Sequence, residues 1–133
     1  MTPVFVDTSY LLALVISNDK DHELALRSQP PPSTPLLSTE YILLEVLDGL
    51  SALAFREIGL TIVKLLRANP MVQIVAASTT LLDEGIQHFE RRRDKDWGIT
   101  DCISFSVMQR HGIHEALTVD HHFEQAGFIA LLR

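Results

Sequence analysis

Cysteine is nearly absent: Cys102 is the single one among 133 residues, so no disulfide within the chain holds the fold, which fits a reducing compartment. Long apolar runs are missing too. No stretch of about 18 apolar residues occurs, as a membrane-spanning helix would need. Met1-Thr2-Pro3 leads straight into Val4-Phe5-Val6 without the basic and apolar segments of a secretory leader. The expectation is a cytoplasmic protein with no membrane contact. Basic charge is scarce, with 11 Lys and Arg against 17 Asp and Glu and a net charge of -6. That excludes a protein gripping nucleic acid by bulk charge, so a phosphate-bearing substrate would need a metal ion or a local basic patch. Proline and glycine, six of each, are too few for a disordered or fibrous chain. No repeat or linker interrupts the sequence, and Pro30-Pro31-Pro32 is too short to separate domains. A chain of this length, 47% hydrophobic, can bury roughly two thirds of its unfolded surface. One domain over residues 1–133 is expected.

Short apolar runs of strand type lie at Val4 to Val6, Leu36 to Leu37, Val72 to Val75, Ala116 to Val119 and Phe128 to Leu131. Amphipathic stretches fall between most of them, at about Ser9 to Ile16, Asp21 to Ser28, Thr39 to Leu53, Phe55 to Ala68, Thr79 to Arg92, Thr100 to His111 and His121 to Ala126. Strands apolar at nearly every position imply helices on both faces. The predicted fold is a three-layer α/β/α sandwich around a mainly parallel sheet. Gly112 and Gly127 stand where left-handed helix caps are usual, and Asn69-Pro70 stops the fourth helix.

Four carboxylates stand beside apolar segments rather than in charged surroundings: Asp7, Glu45, Asp101 and Asp120. Asp7 follows Phe5-Val6, and Asp120 follows Thr118-Val119, so both sit where a strand ends and a helix begins. In parallel sheets that edge is where ligands bind, and helix N-termini there favour negative charge. Asp101 occupies the first turn of its helix, and Glu45 is mid-helix between apolar neighbours. Each also has a structural reading: N-cap for Asp7 and Asp120, dipole complementation for Asp101, an exposed stripe shared with Asp48 for Glu45. If the four converge, their repulsion raises pKa values or calls for a hard divalent cation with oxygen ligands, Mg2+ or Mn2+. Such an ion supports the chemistry of metal-dependent nucleases.

With these residues in view, the chain resembles the PIN-domain proteins, and within them the VapC-like ribonucleases of toxin-antitoxin modules. The matching segments are Val4-Phe5-Val6-Asp7-Thr8-Ser9, Thr39-Glu40-Tyr41-Ile42-Leu43-Leu44-Glu45, Trp97-Gly98-Ile99-Thr100-Asp101-Cys102-Ile103-Ser104-Phe105 and Ala116-Leu117-Thr118-Val119-Asp120-His121-His122-Phe123. The resemblance implies a PIN-like fold and a magnesium-dependent ribonuclease with Asp7, Glu45, Asp101 and Asp120 as catalytic metal ligands. It implies Ser9 and Thr100 as residues that orient them or touch substrate. It further implies an antitoxin partner that holds the enzyme inactive. Gly98 stands where relatives often have Ser.

Arg91-Arg92-Arg93 with Lys95 is the one dense basic run and reads either as an RNA-gripping rim or as cations at a helix C-terminus. Trp97 reads as packing. His121 and His122 are adjacent and expected to point apart, so no zinc site is expected. Cys102 reads as a small buried residue. The apolar helices between Ile42 and Leu66 offer surface for a homodimer. Two competing functions are a non-catalytic RNA- or partner-binding module of the same fold, and a phosphotransferase with Asp7 as nucleophile. The latter is weakened by Ser9 where a second Asp would stand.

Overall fold

The computed structural model describes all residues 1–133. The chain runs β1 (Val4–Val6), α1 (Thr8–Val15), α2 (His22–Arg27), β2 (Leu36–Thr39), α3 (Glu40–Gly49), α4 (Arg56–Ala68), β3 (Val72–Val75), α5 (Thr79–Arg91), α6 (Ile99–Arg110), β4 (Glu115–Leu117), α7 (His121–Gln125) and β5 (Ile129–Ala130). The five strands form one sheet, parallel throughout, in the order β3-β2-β1-β4-β5. From β1 the chain steps outward to β2 and β3, then crosses back to β4 and β5. Right-handed crossovers therefore place α1 to α4 on one face and α5 to α7 on the other. The packing agrees: α1 lies on α2 and α3, and α3 on α4, while α6 lies on α5 and α7. The expected three-layer sandwich is the fold found. Its topological switch falls between β1 and β4, and the crevice beyond their C-terminal ends is where a doubly wound sheet binds ligands.

Local sequence accounts for most element ends. Thr39 caps α3 by accepting the Ile42 N–H at 3.1 Å, and Ser78 caps α5 by accepting the Leu81 N–H at 3.1 Å. Gly112 and Gly127 take φ of 64° and 95°, the left-handed geometry expected of them. The helix expected over Thr39 to Leu53 stops instead at Gly49. The chain must reverse there so that fully buried Leu50 can wedge between α3 and α4, where a Cβ on Gly59 would stand 3.1 Å from the Leu50 Cβ. The second strand is longer than its apolar pair predicts. It carries buried Ser38 and Thr39, and the Ser38 hydroxyl is satisfied by donating to the Val6 carbonyl at 2.9 Å.

The core beneath the switch point is aromatic. Phe105 meets Trp97 edge-on at 5.0 Å and Phe123 edge-on at 5.0 Å, and Phe123 approaches Phe5 at 6.2 Å. Such pairs contribute about 0.5–1.5 kcal/mol each beyond their buried area. Phe105 lies one turn after Asp101, and Phe123 directly follows His122. The same cluster that joins α6 and α7 to β1 thus sets where those polar side chains stand. Trp97 is buried and its indole N–H donates to Gln125 Oε1 at 2.9 Å, in keeping with a packing role.

Candidate active site

Asp7 leaves β1 as the N-cap of α1, and its carboxylate is buried at 5% exposure. Every hydrogen bond it receives ends on Oδ2: from the Ser9 hydroxyl at 2.7 Å, the Thr118 hydroxyl at 2.8 Å and the Ser9 N–H at 3.4 Å. Oδ1 keeps its lone pairs for something else. The two hydroxyls are themselves locked, because Ser9 Oγ accepts the Val119 N–H at 3.1 Å and Thr118 Oγ1 accepts the Asp120 N–H at 3.0 Å. This lattice also explains why β4 ends at Leu117 rather than Val119: the Val119 and Asp120 N–H groups turn to serve the site. Burial pushes the Asp7 pKa from 3.8 up to about 6, with Asp101 adding to the rise and the Ser9 and Thr118 hydroxyls opposing it.

Glu45 comes from the middle of α3. The start of that helix is tied to the loop before α5, where Glu40 accepts the Ala77 N–H at 2.6 Å and the Tyr41 hydroxyl donates to the Ser78 carbonyl at 3.0 Å. Half-buried Glu45 accepts the Thr8 hydroxyl at 2.6 Å, whereas Asp48, its expected companion on a solvent stripe, is exposed. Burial raises the Glu45 pKa, the Thr8 and Thr100 hydroxyls draw it down, and Asp101 and Asp120 push it up again. Asp101 accepts the Gly98 N–H at 3.3 Å and lies 3.0 Å from His122 Nδ1 through the same Oδ2. Its pKa is raised by burial, lowered by His122 and raised by Asp120. Asp101 adds to the rise at Asp7 and Glu45, and Asp120 to the rise at Asp101 and Glu45, so Asp101 is the acid that interacts with each of the other three.

Asp120 caps α7 by accepting the His122 N–H at 2.9 Å. The expectation that His121 and His122 point apart is overturned. Their rings lie 4.5 Å apart, and both approach Asp120 Oδ1, at 3.7 Å from His121 Nδ1 and 3.3 Å from His122 Nδ1. The cause is the cap: the carboxylate folds back over the first turn, where both side chains lean toward it. The three residues offer ligand atoms within 4.8 Å of one another.

The Ser9 hydroxyl donates to Asp7 Oδ2, and the Thr100 hydroxyl draws the Glu45 pKa down. Thr8, Thr118 and His122 were missed. Their signal was present in hindsight, each lying within two residues of a candidate acid. The basic run is largely engaged elsewhere. Arg92 forks onto Asp94 at 3.0 and 3.1 Å and covers the Trp97 ring at 4.9 Å, and Arg93 donates to the Glu90 carbonyl at 3.2 Å. Arg91 has no carboxylate partner and lines the groove between α5 and α6 with His88 and Gln109. Cys102 is buried, and burial together with Asp101 raises its thiol pKa, which fits an inert residue.

The family model described as PIN domain matches residues 4–129. The 23S rRNA-specific endonuclease VapC20 of Mycobacterium tuberculosis is 26% identical over 129 residues, 95% of this chain and 95% of that protein. Its crystal structure, described as that of a sarcin-ricin loop cleaving toxin, is similar with a TM-score of 0.84 over 95% of this chain and 96% of that one. Two further structures share the fold: FitAcB from Neisseria gonorrhoeae, with a TM-score of 0.64 at 13% identity over 96% and 94% of the two chains, and a toxin-antitoxin complex from Klebsiella pneumoniae, with 0.57 at 17% identity over 89% and 87%.

Proposed function

The chain belongs to the PIN-domain family, and from that premise we propose that it is a metal-dependent endoribonuclease acting as the toxin of a type II toxin-antitoxin module. The supporting observation is the convergence of Asp7, Glu45, Asp101 and Asp120 beyond the ends of β1 and β4, with Asp7 Oδ1 left free while Oδ2 is saturated. Acids this crowded and this buried are unstable as bare anions, which the raised pKa values of three of them register. The donor set is all hard oxygen among the acids, suited to Mg2+ with Mn2+ as a substitute. When bound there, the ion supplies Lewis acidity toward a phosphoryl oxygen and makes water a stronger acid.

The chain's own residues do the rest. Ser9 and Thr118 fix the Asp7 carboxylate in one orientation, and Thr8 holds Glu45 through Oε1. The buried floor around Asp7 keeps bulk water from screening the charges. Arg91, and less directly Arg92, Arg93 and Lys95, give the acidic protein a local grip on RNA phosphates. RNA is the substrate, with 23S rRNA, the target named for VapC20, the first to try. An antitoxin and a second copy of the chain are the expected partners. Supporting them are the exposed Leu44, Leu65 and Phe89 and an apolar crevice between α1 and α4 lined by Tyr10, Leu14, Ile62 and Leu65. No helix is long and apolar enough to cross a membrane, and we place the one PIN-like domain of residues 1–133 in the cytoplasm.

The test is cleavage of fluorescent single-stranded RNA and of intact ribosomal RNA by the purified protein, with Mg2+ or Mn2+ against EDTA, beside Asp7→Asn prepared identically. Metal-dependent cutting lost in the variant is expected. A wild type that binds Mn2+ yet cuts neither RNA would instead leave a non-catalytic binding module.

A further inference from the structure

α5 and α6 pack tightly where Gly85 meets Ile103, yet beside that contact a hollow of about 300 Å³ opens between the two helices. No apolar residue lines it. Glu84, His88 and Arg91 face it from one side of α5, and Ser106, Gln109 and Arg110 face it from α6. Glu84, the one acid, is taken by the Arg110 guanidinium, so Arg91 is left as the unpaired cation. Burial holds His88 below its ordinary range and nearby Arg91 adds to this, while Glu84 opposes it. The hollow is thus positive at its Arg91 end. Ser106 supplies an independent sign of a ligand. It is only 4% exposed, and its hydroxyl has no hydrogen-bond partner in the protein, not even the carbonyl one turn earlier that a buried helical serine commonly uses. An orphaned hydroxyl costs about 1–3 kcal/mol. Ser104, also unpaired, lies outside this hollow.

We propose that this hollow is a phosphate-binding subsite, with Arg91 supplying charge and Ser106, His88 and Gln109 the hydrogen bonds, and that it takes an RNA backbone phosphate away from the bond that is cut. The inference rests on the ribonuclease reading and deepens it by fixing where the substrate chain runs. Ser106 stands five residues beyond Asp101, about 7.5 Å along α6 and about 140° around it, so the hollow is separate from the acidic crevice. A track joins them. A second hollow shares His88, Arg91 and Gln109 with the first and continues to Trp97, next to the Gly98 whose N–H donates to Asp101. The chemistry selects the ligand. A phosphate offers several acceptor oxygens to a surface made almost wholly of donors, and a guanidinium fork matches it. A nucleobase would find no aromatic or apolar wall to stack on. Free phosphate has the same chemistry, and the experiment separates the two.

The experiment uses the intact protein in EDTA, where the bare acids of the crevice repel anions and phosphate binding reports on the hollow. Inorganic phosphate titrated into nitrogen-15-labelled protein should shift the NMR signals of Arg91, Ser106 and Gln109. Ser106→Ala should weaken that binding at least about tenfold, as loss of a hydrogen bond to a charged group does. Single-stranded RNA, followed by fluorescence anisotropy, then distinguishes a backbone from a free anion. Arg91→Gln should weaken RNA binding and lower the slope of log affinity against log salt by about 0.7, the share of one phosphate contact. Ser106→Ala should weaken it with the slope unchanged. Lys64→Gln, an exposed cation on the opposite helical layer, should alter neither. An equal loss in Lys64→Gln means diffuse charge and overturns the subsite. Phosphate shifts with RNA affinity untouched in both hollow variants overturn the RNA assignment in favour of a free-anion site. RNA binding without phosphate shifts in the hollow overturns the inference and leaves the ribonuclease reading standing. RNA held through the hollow by a protein that cuts nothing would leave the subsite standing and remove the catalytic reading instead.

Discussion

Replacing Asp7 by Asn should stabilise the metal-free protein while abolishing its activity. In the unfolded chain Asp7 titrates at 3.8, and in the folded one at about 6, because burial disfavours its charge. Between those values the folded state holds a proton that the unfolded state has released. The stabilisation is complete below about pH 3.8 and is lost as pH rises through about 6. At about 1.4 kcal/mol for each tenfold, the charged form is disfavoured by about 3 kcal/mol near neutrality. Asn keeps an oxygen where Oδ2 accepts from Ser9 and Thr118, carries no charge, and turns its amide toward the side where no protein donor reaches Oδ1. In EDTA near neutral pH, Asp7→Asn should therefore be more stable than wild type by about 1–3 kcal/mol, the advantage fading toward about pH 4. Urea denaturation followed by circular dichroism across that range measures it. Adding Mn2+ should narrow the gap, since only the wild type gains binding energy from the ion. A variant less stable than wild type near neutrality in EDTA, or a difference that does not change with pH, would refute the reasoning.

Asp101→Asn removes the hub of the acidic crevice, and RNA cleavage should fall by at least about 100-fold, the scale of losing one electrostatic catalytic group. Thermal melting in EDTA should show no loss of stability. Thr118→Val takes one of two hydroxyls from Asp7 Oδ2 and the acceptor from the Asp120 N–H, which should cost about 1–3 kcal/mol. It should also move the Asp7 titration, followed by carboxyl NMR, further upward. Phe105→Ala opens the aromatic cluster under the site and should cost about 3–5 kcal/mol in urea denaturation. Gly85→Ala places a Cβ about 2.4 Å from Ile103 Cγ1, in the close approach of α5 to α6. It should destabilise by about 1–3 kcal/mol despite the better helix propensity of alanine.

The acids were legible because their positions break a pattern that sequence displays. A carboxylate after a run of strand residues, or flanked by Leu44 and Val46 in a helix, departs from what solvent exposure alone would produce. Their supports were illegible for the opposite reason. Thr8 and Thr118 are small hydroxyl residues at element ends, where such residues are common for capping. Only the pairing of β1 with β4 brings Thr118 across 111 positions to Asp7. Which cations of the basic run are already engaged is invisible in sequence, because charges are counted there without their partners: Arg92 is held by Asp94 and Trp97. The end of α3 misled because Ser51 to Phe55 suits a helix locally, while the return of α4 demands a turn.

His122 is the most instructive miss, since the rule applied to it was sound and its domain was wrong. Adjacent side chains diverge by about 100° around a long helix, yet α7 is five residues long and its whole first turn is governed by the capping carboxylate. Asp120 reaches back over that turn, so the helix end gathers side chains that a helix middle would scatter. The same logic places the site as a whole. The switch point brings the ends of β1 and β4 together, the caps that finish those strands are themselves acids, and the first turns they cap supply Ser9 and His122. Capping and the proposed metal site draw on the same residues. An acid that also terminates a strand cannot drift from its geometry without unravelling the helix behind it. The rigidity a metal site needs is thus supplied by ordinary helix capping, while the charge it gathers is what the folded chain alone bears least well.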